Sequence, residues 1–341
     1  MTTPAAPPAT PKPGLHPRNR HRTGYDFAAL TAAVPGLARF VVTTPAGTPS
    51  IDFGDPAAVK ALNRALLEVD YGVRGWDIPP QYLCPPIPGR ADVLHHLADL
   101  LAEGNDGVIP RGDRLFVLDI GVGANGVYPL VGHAEYGWRF VGVDTDPVAL
   151  DNVRRIVAAN PGLSRAIELR HQPVSDNVFV GVLRTGERFD LTLCNPPFHA
   201  SPAEAMAAAG RKLKNLGKAP RGGSAPRLNF GGQSNELWYP GGERAFLERL
   251  ITQSAGIPKR CLWFSTLVSK AENLRYVEVA LEKLHPCATR VIPMAQGQKQ
   301  SRLVAWTFTP KAERLKWRRA RWGRDAGMAV AKGEPPAEQP E

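Results

Sequence analysis

Cysteine is scarce in this chain: Cys84, Cys194, Cys261 and Cys287 are the only four among 341 residues, and no two of them stand in a C-x-x-C spacing. That scarcity excludes a disulfide framework and a cysteine-built zinc site, leaves no metal site expected, and reads as reduced, mostly buried thiols. No apolar run reaches the roughly 20 residues that cross a bilayer. Residues 1–13 are rich in Pro, Ala and Thr and lack the apolar core of a secretory leader, so a soluble cytoplasmic protein is expected. At this length the chain can form one large α/β domain with appendages or two smaller domains.

Acidic residues are missing from particular places. Residues 11–22 hold Lys12, Arg18, Arg20 and Arg22, and residues 205–235 hold Arg211, Lys212, Lys214, Lys218, Arg221 and Arg227, with no acid in either stretch. Residues 311–324 hold seven basic residues against Glu313 alone. The whole chain carries only +10, so everything outside these segments is mildly acidic. A mildly acidic body with three basic appendages suits a polyanionic partner, because phosphate contacts supply most non-specific affinity. Basic tails that merely aid solubility are the alternative, weakest for residues 205–235, which follow directly on the motif below.

That motif is the apolar strand Phe189–Cys194 running into Asn195-Pro196-Pro197-Phe198. The Asn195 side-chain oxygen and the Pro196 carbonyl can accept the two hydrogens of an exocyclic amine, and Phe198 offers a face for a stacked base. Two acceptors off the base plane favour a pyramidal amine over the flat, delocalised one, which is preorganisation rather than deprotonation. Pro196 and Pro197 stiffen the turn. As an isolated tetrapeptide the motif reads equally well as a rigid turn.

Upstream, Leu115-Phe116-Val117-Leu118-Asp119-Ile120 runs into Gly121-Val122-Gly123-Ala124-Asn125-Gly126, the first strand and Gly-rich turn of a nucleotide-binding α/β unit. The glycines permit close approach of a ligand, and Asp119 can hold a cationic amine. Asp144 ends Arg139-Phe140-Val141-Gly142-Val143, where a second strand finishes, and suits ribose hydroxyls. Each acid alone could be a turn residue or helix cap. With Asn195 they fall on the carboxyl edge of one sheet, where open α/β sheets bind ligands.

The coarse pattern gives a disordered tail over 1–14, a basic and helical appendage with an extended connector over 15–88, an α/β domain over 89–310 and a basic, then acidic and Pro-rich tail over 311–341. Helix-like spacing covers Tyr25–Ala33, Leu37–Val42 and Pro56–Val69, with Leu62, Leu66, Leu67 and Val69 as a core face. Arg90 opens a helix at Val93–Leu101. Strands at 115–119, 139–144, 167–171, 189–194 and 261–268 alternate with helices at 126–135, 147–159, 242–255 and 271–284, which implies a parallel sheet covered on both faces. Residues 288–294 and 301–308 read as a closing antiparallel hairpin. Residues 199–242 are too long for a simple connection; Gly-rich and basic, with Phe230, Trp238 and Tyr239 interspersed, they read as a flap that closes over a substrate.

The motifs together resemble the class I S-adenosylmethionine-dependent methyltransferases. In particular, residues 119–130, Leu193–His199, Asn229-Phe230-Gly231-Gly232-Gln233 with Glu236-Leu237-Trp238, and His16-Pro17-Arg18-Asn19-Arg20-His21 with Tyr25-Asp26-Phe27 resemble the bacterial 23S ribosomal RNA adenine-N6 methyltransferase family of the adenine-1618 type, which has eukaryotic relatives acting on structured RNA. The resemblance covers about residues 15–310. It implies a Rossmann-like, mainly parallel seven-stranded sheet with a terminal antiparallel hairpin and an N-terminal helical appendage. It also implies S-adenosylmethionine as cofactor, held by Arg90 (toward the methionine carboxylate), Asp119, Gly121, Gly123, Asn125 and Asp144, and catalysis at Asn195, Pro196, Pro197 and Phe198. The partner is then 23S rRNA or a large-subunit assembly intermediate, bound by a monomer through Arg18, Arg20, Arg22 and the basic residues of 205–235.

Three other readings fit the same residues. A glutamine-side-chain methyltransferase shares Asn-Pro-Pro but more typically carries Tyr where Phe198 stands. A DNA adenine methyltransferase shares the chemistry. An RNA-binding assembly factor with a vestigial pocket is the third, against which Asp119, Asp144 and Asn195 all stand intact.

Overall fold

The computed structural model describes residues 14–204, 207, 237–296 and 299–322. Seven strands build its main sheet: β3 (Phe116–Ile120), β4 (Arg139–Asp144), β5 (Ile167–His171), β6 (Phe189–Cys194), β7 (Cys261–Val268), β8 (Ala288–Gln296) and β9 (Lys299–Thr307). Their spatial order is β5-β4-β3-β6-β7-β9-β8. Strands β3 to β7 run parallel, while β9 pairs antiparallel with both β7 and β8. Every residue of β6 and β7 is buried, which is why both read as unbroken apolar runs rather than alternating ones.

Helices α3 (Ile87–Glu103), α4 (Val127–Tyr136), α5 (Pro147–Ala158), α6 (Gly242–Ala255) and α7 (Ala271–Leu284) cover the sheet. Asp146 accepts from the Val148 N–H at 2.9 Å and Pro147 opens α5, so the stop of β4 and the start of α5 are only two residues apart. Ahead of the sheet lie α1 (Phe27–Ala33), a 3-10 helix at Pro35–Phe40, the short hairpin β1 (Val41–Thr43) with β2 (Pro49–Ile51), and α2 (Pro56–Tyr71).

Several sequence expectations need correction. Leu37–Val42 is not an α-helix but a 3-10 turn running into β1, because Pro35 and the extended Val41 leave too few residues for i to i−4 bonding. The extended connector ends earlier than residue 88: α3 begins at Ile87 and takes Pro88 in its first turn, where no N–H partner is needed, so Arg90 lies inside the helix rather than ahead of it. Leu62, Leu66 and Leu67 are buried, but Val69, near the end of α2, is exposed. The appendage has no core of its own. Leu62, Leu66 and Trp76 share one apolar cluster with Leu94, Val117 and Leu191, and the Trp76 indole N–H donates to the Asn125 carbonyl at 2.9 Å.

The basic segment after residue 310 also differs from a tail. Residues Lys311–Arg321 form α8, with Trp317 and Trp322 buried against the amino end of β6. Five N–H donors from four residues converge on the Asp190 carboxylate, which has no solvent exposure: Trp317 Nε1 at 2.6 Å, Trp322 Nε1 at 3.1 Å, Arg321 at 2.9 and 3.0 Å, and the Phe116 backbone N–H at 2.8 Å.

Candidate active site

The carboxyl ends of β3, β4, β5 and β6 open onto one cavity of about 340 Å³. Its wall includes Arg90, Gly121, Gly123, Asn125, Asp144 and Asn195. The turn after β3 needs glycine: Gly121 and Gly123 have φ of +76° and +63°, and a Cβ on Gly126 would stand 2.9 Å from Val153. Asp144 locks that turn, accepting from the Gly123 N–H at 2.8 Å and from the Asp146 N–H at 3.0 Å. The Asn125 side-chain oxygen accepts from the Val127 N–H, the first of α4, at 3.0 Å, and the residue lines the cavity.

Asp119 lies directly behind this wall. It is fully buried, and neither carboxylate oxygen has a hydrogen-bond partner among the described residues. Burial, reinforced by the Asp144 charge, holds its carboxyl well above the ordinary carboxylate range, against an opposing pull from Arg90. Burial likewise raises Asp144, countered by the Asp146 and Gly123 N–H groups. A native fold rarely leaves a buried carboxylate without donors unless a ligand supplies them. An amino-acid ammonium is a matching donor set, and a cofactor with such a group, a ribose for Asp144 and a carboxylate for Arg90 fits the residues present.

Arg90 is held for that task. Its Nη1 donates to the Tyr128 hydroxyl at 2.9 Å, and its guanidinium lies 5.5 Å from the Tyr128 ring centre. Burial pushes the Tyr128 hydroxyl pKa up to about 12, so it stays neutral.

Asn195 and Pro197 line this first cavity; Asn195 and Phe198 line a second, adjoining one, completed by Val93, Leu267 and Met294. Asn195 and Arg90 thus belong to both. Pro196 is buried and lines neither. Past Phe198 the chain is zipped to residues 237–239: Phe198 and His199 N–H donate to the Leu237 carbonyl at 3.2 and 3.0 Å, and Tyr239 N–H donates to the His199 carbonyl at 3.0 Å. The Tyr239 hydroxyl then donates to Asp176 at 2.9 Å, tying this neck to the loop after β5.

A family of RNA methyltransferases matches residues 9–310 of this sequence. The chain belongs to it. Among its relatives, the ribosomal RNA large subunit methyltransferase F of Dechloromonas aromatica is 58% identical over 339 residues, spanning 96% of this chain and 100% of that protein. The enzyme of the same name from Ectopseudomonas mendocina is 58% identical over 320 residues, 94% of this chain and 96% of that one. In structure, the catalytic domain of hMettl16 in complex with a MAT2A 3'UTR hairpin superposes with a TM-score of 0.71 at 28% identity, covering 86% of this chain and 96% of that one. The N-terminal domain of human METTL16 in complex with SAH gives 0.67 at 27% identity, covering 86% and 98%. The cofactor of this methyltransferase is S-adenosylmethionine.

Three of the basic residues chosen from sequence, Arg18, Arg20 and Arg22, are described, and none of them lines either cavity. Arg18 donates to Asp99 at 2.7 Å and to the His95 carbonyl at 2.9 Å, and Arg20 donates to Glu135 at 2.6 Å, so both fasten the amino-terminal segment to α3 and α4 rather than standing free. Among the described residues, Arg22 donates to the Pro17 carbonyl at 3.2 Å. Arg211, Lys212, Lys214, Lys218, Arg221 and Arg227 lie outside the described residues. No cluster of metal-ligating side chains occurs among the described residues, and no helix there is long and apolar enough to cross a membrane. Gln172 and Asn177, unsuspected from the sequence, line the first cavity, together with Tyr128 and Trp238, which the sequence placed only within a motif and the flap. The loop after β5 was findable, since it leaves the same sheet edge as Asp144; Trp238 arrives only through the neck pairing.

Proposed function

We propose that this protein methylates the N6 amine of one adenine of 23S rRNA, of the adenine-1618 type, as a cytoplasmic monomer. The observation that carries the reading is the double position of Asn195, on the wall between the cofactor cavity and the Phe198 cavity. A base stacked on Phe198 presents its amine to the Asn195 side-chain oxygen and the Pro196 carbonyl. Those acceptors favour the pyramidal amine, and holding the two reactants across one residue supplies proximity and orientation. When bound, S-adenosylmethionine supplies an electrophilic methyl group on a good leaving group, so the protein needs no strong base. Asp119 would hold the cofactor's ammonium, directly or through water, Asp144 its ribose, and Arg90, steadied by Tyr128, its carboxylate.

The large-subunit rRNA relatives at 58% identity support an rRNA substrate, and the hMettl16 complex with an RNA hairpin supports a folded target. Transfer of labelled methyl to protein-free 23S rRNA, with 16S rRNA, duplex DNA and cell protein in parallel, tests the reading. N6-methyladenosine at a single 23S position is expected; label in protein or DNA instead would overturn it.

A further inference from the structure

Arginine introduces each of the five parallel strands. Arg114 stands two residues ahead of β3, Arg139 opens β4, Arg165 stands two residues ahead of β5, and Arg188 and Arg260 directly precede β6 and β7. The strand order sets them side by side as Arg165, Arg139, Arg114, Arg188 and Arg260. At about 4.8 Å between strands the row runs roughly 19 Å along the amino edge of the sheet. The cofactor cavity is at the other edge, about 20 Å away along a six-residue strand.

Arg260 is tied to the backbone carbonyls of Glu187 and Arg184. The other four are exposed, and none forms an ion pair with the described residues. Two of them are backed by rings: Arg139 lies 5.1 Å from the Phe116 ring centre and Arg188 lies 5.7 Å from that of Trp317. Helix α8, docked beneath the same edge, adds Lys316 and Arg319, both exposed. Asp113 lies among them, while Asp190 is engaged by Arg321 and Glu168 and Glu187 by Arg170. One groove holds Arg114, Arg139 and Arg321; the next holds Arg139 and Arg165; both share Asp113. Charges that serve solubility are interspersed in sign. Here unpaired guanidiniums, the group whose planar fork matches phosphate oxygens, gather on one edge.

We propose that this arginine row is a second RNA contact, binding the phosphate backbone of a duplex arm remote from the methylated adenine. The assignment rests on RNA being the substrate. A duplex of fewer than about ten base pairs covers the distance between the two edges.

The test is a variant carrying Arg114→Gln, Arg139→Gln, Arg165→Gln and Arg188→Gln, titrated with two RNAs: a short hairpin around the target adenine, and a longer 23S fragment that keeps the flanking helices. Affinity for the longer RNA is expected to fall at least about tenfold, its salt slope to shrink by about 3, and affinity for the hairpin to stay within about twofold. S-adenosylmethionine binding, unchanged, reports an intact fold. The double variant Arg114→Gln/Arg165→Gln, which touches no ring contact, should show about half the change in slope. An unaltered slope on the longer RNA, or an equal loss on both RNAs, overturns the proposal. Failure of the wild-type protein to bind either RNA would instead bring down the functional reading.

Discussion

Asp190 and Asn195 mark the two ends of one strand: β6 begins beside a carboxylate fixed by Trp317, Arg321 and Trp322, and ends at the residue that separates the two cavities. The strand between them is buried throughout and pairs with β3 and β7 on either side. Position at the reacting end is therefore set by packing at the far end as well as by the turn itself.

Removing that anchor should be costly. Asp190→Asn leaves the Arg321 guanidinium against a neutral amide in a buried setting, and is expected to cost about 3–5 kcal/mol. Trp317→Ala should cost a similar amount through lost packing and a lost hydrogen bond. Urea denaturation measures both, and a change below about 1 kcal/mol in each would mean that α8 is not part of the folded unit.

Asn195→Ala should separate binding from chemistry. Loss of a single preorganised polar group at a reacting centre typically costs about 10²–10³ in kcat. S-adenosylmethionine affinity, measured calorimetrically, is expected to stay within about threefold. Near-normal turnover in this variant would remove Asn195 from the amine-orienting role.

Cofactor affinity should depend on pH through Asp119. Its carboxyl is raised in the free protein, so a proton must leave before an ammonium can be held there. Binding should therefore release a proton and tighten as pH rises through a window above the ordinary carboxylate range. Calorimetry in buffers of differing ionisation enthalpy counts that proton, and Asp119→Asn should abolish the release; identical proton counts for the two proteins would contradict the assignment.

Stability should fall on acidification through His95. The ring is fully buried, its Nδ1 bonds the Tyr136 hydroxyl at 2.6 Å, and burial lowers its pKa to about 3. The unfolded chain, with an ordinary value near 6.5, binds the proton first. The stabilisation is thus complete above about pH 6.5 and is lost progressively toward pH 3, by at most about 1.4 kcal/mol per pH unit for one proton. His95→Gln should flatten the stability profile over pH 4–6.5 relative to wild type; superimposable slopes would show that the proton is taken up elsewhere.

The sheet was legible because its strands are apolar runs between turn residues: Arg139–Asp144, Ile167–His171, Phe189–Cys194 and Cys261–Val268 have the bounds that the sequence suggested. The three-residue β1 and β2 are too short to show a period. Helix α8 was hidden by its composition, since eleven residues with so many cations look like a tail until Trp317 meets Asp190, a partner 127 positions away. In the cleft, Gly121, Gly123, Asp144 and Asn195 stand on strand ends and follow from local pattern. Tyr128 and Trp238 do not, because the first is defined by Arg90 and the second by the pairing of two chain segments that are distant in sequence.

The three backbone hydrogen bonds between residues 198–199 and 237–239 have a consequence for how such enzymes diverge. Both ends of the intervening stretch are pinned at one place, so the register of Asn195 does not depend on how many residues lie between them. Loop closure grows only slowly more costly with length, by about 0.6 kcal/mol per doubling. This neck is thus a socket: segments of different length and charge can be exchanged there while leaving the end of β6 that carries Asn195 unmoved.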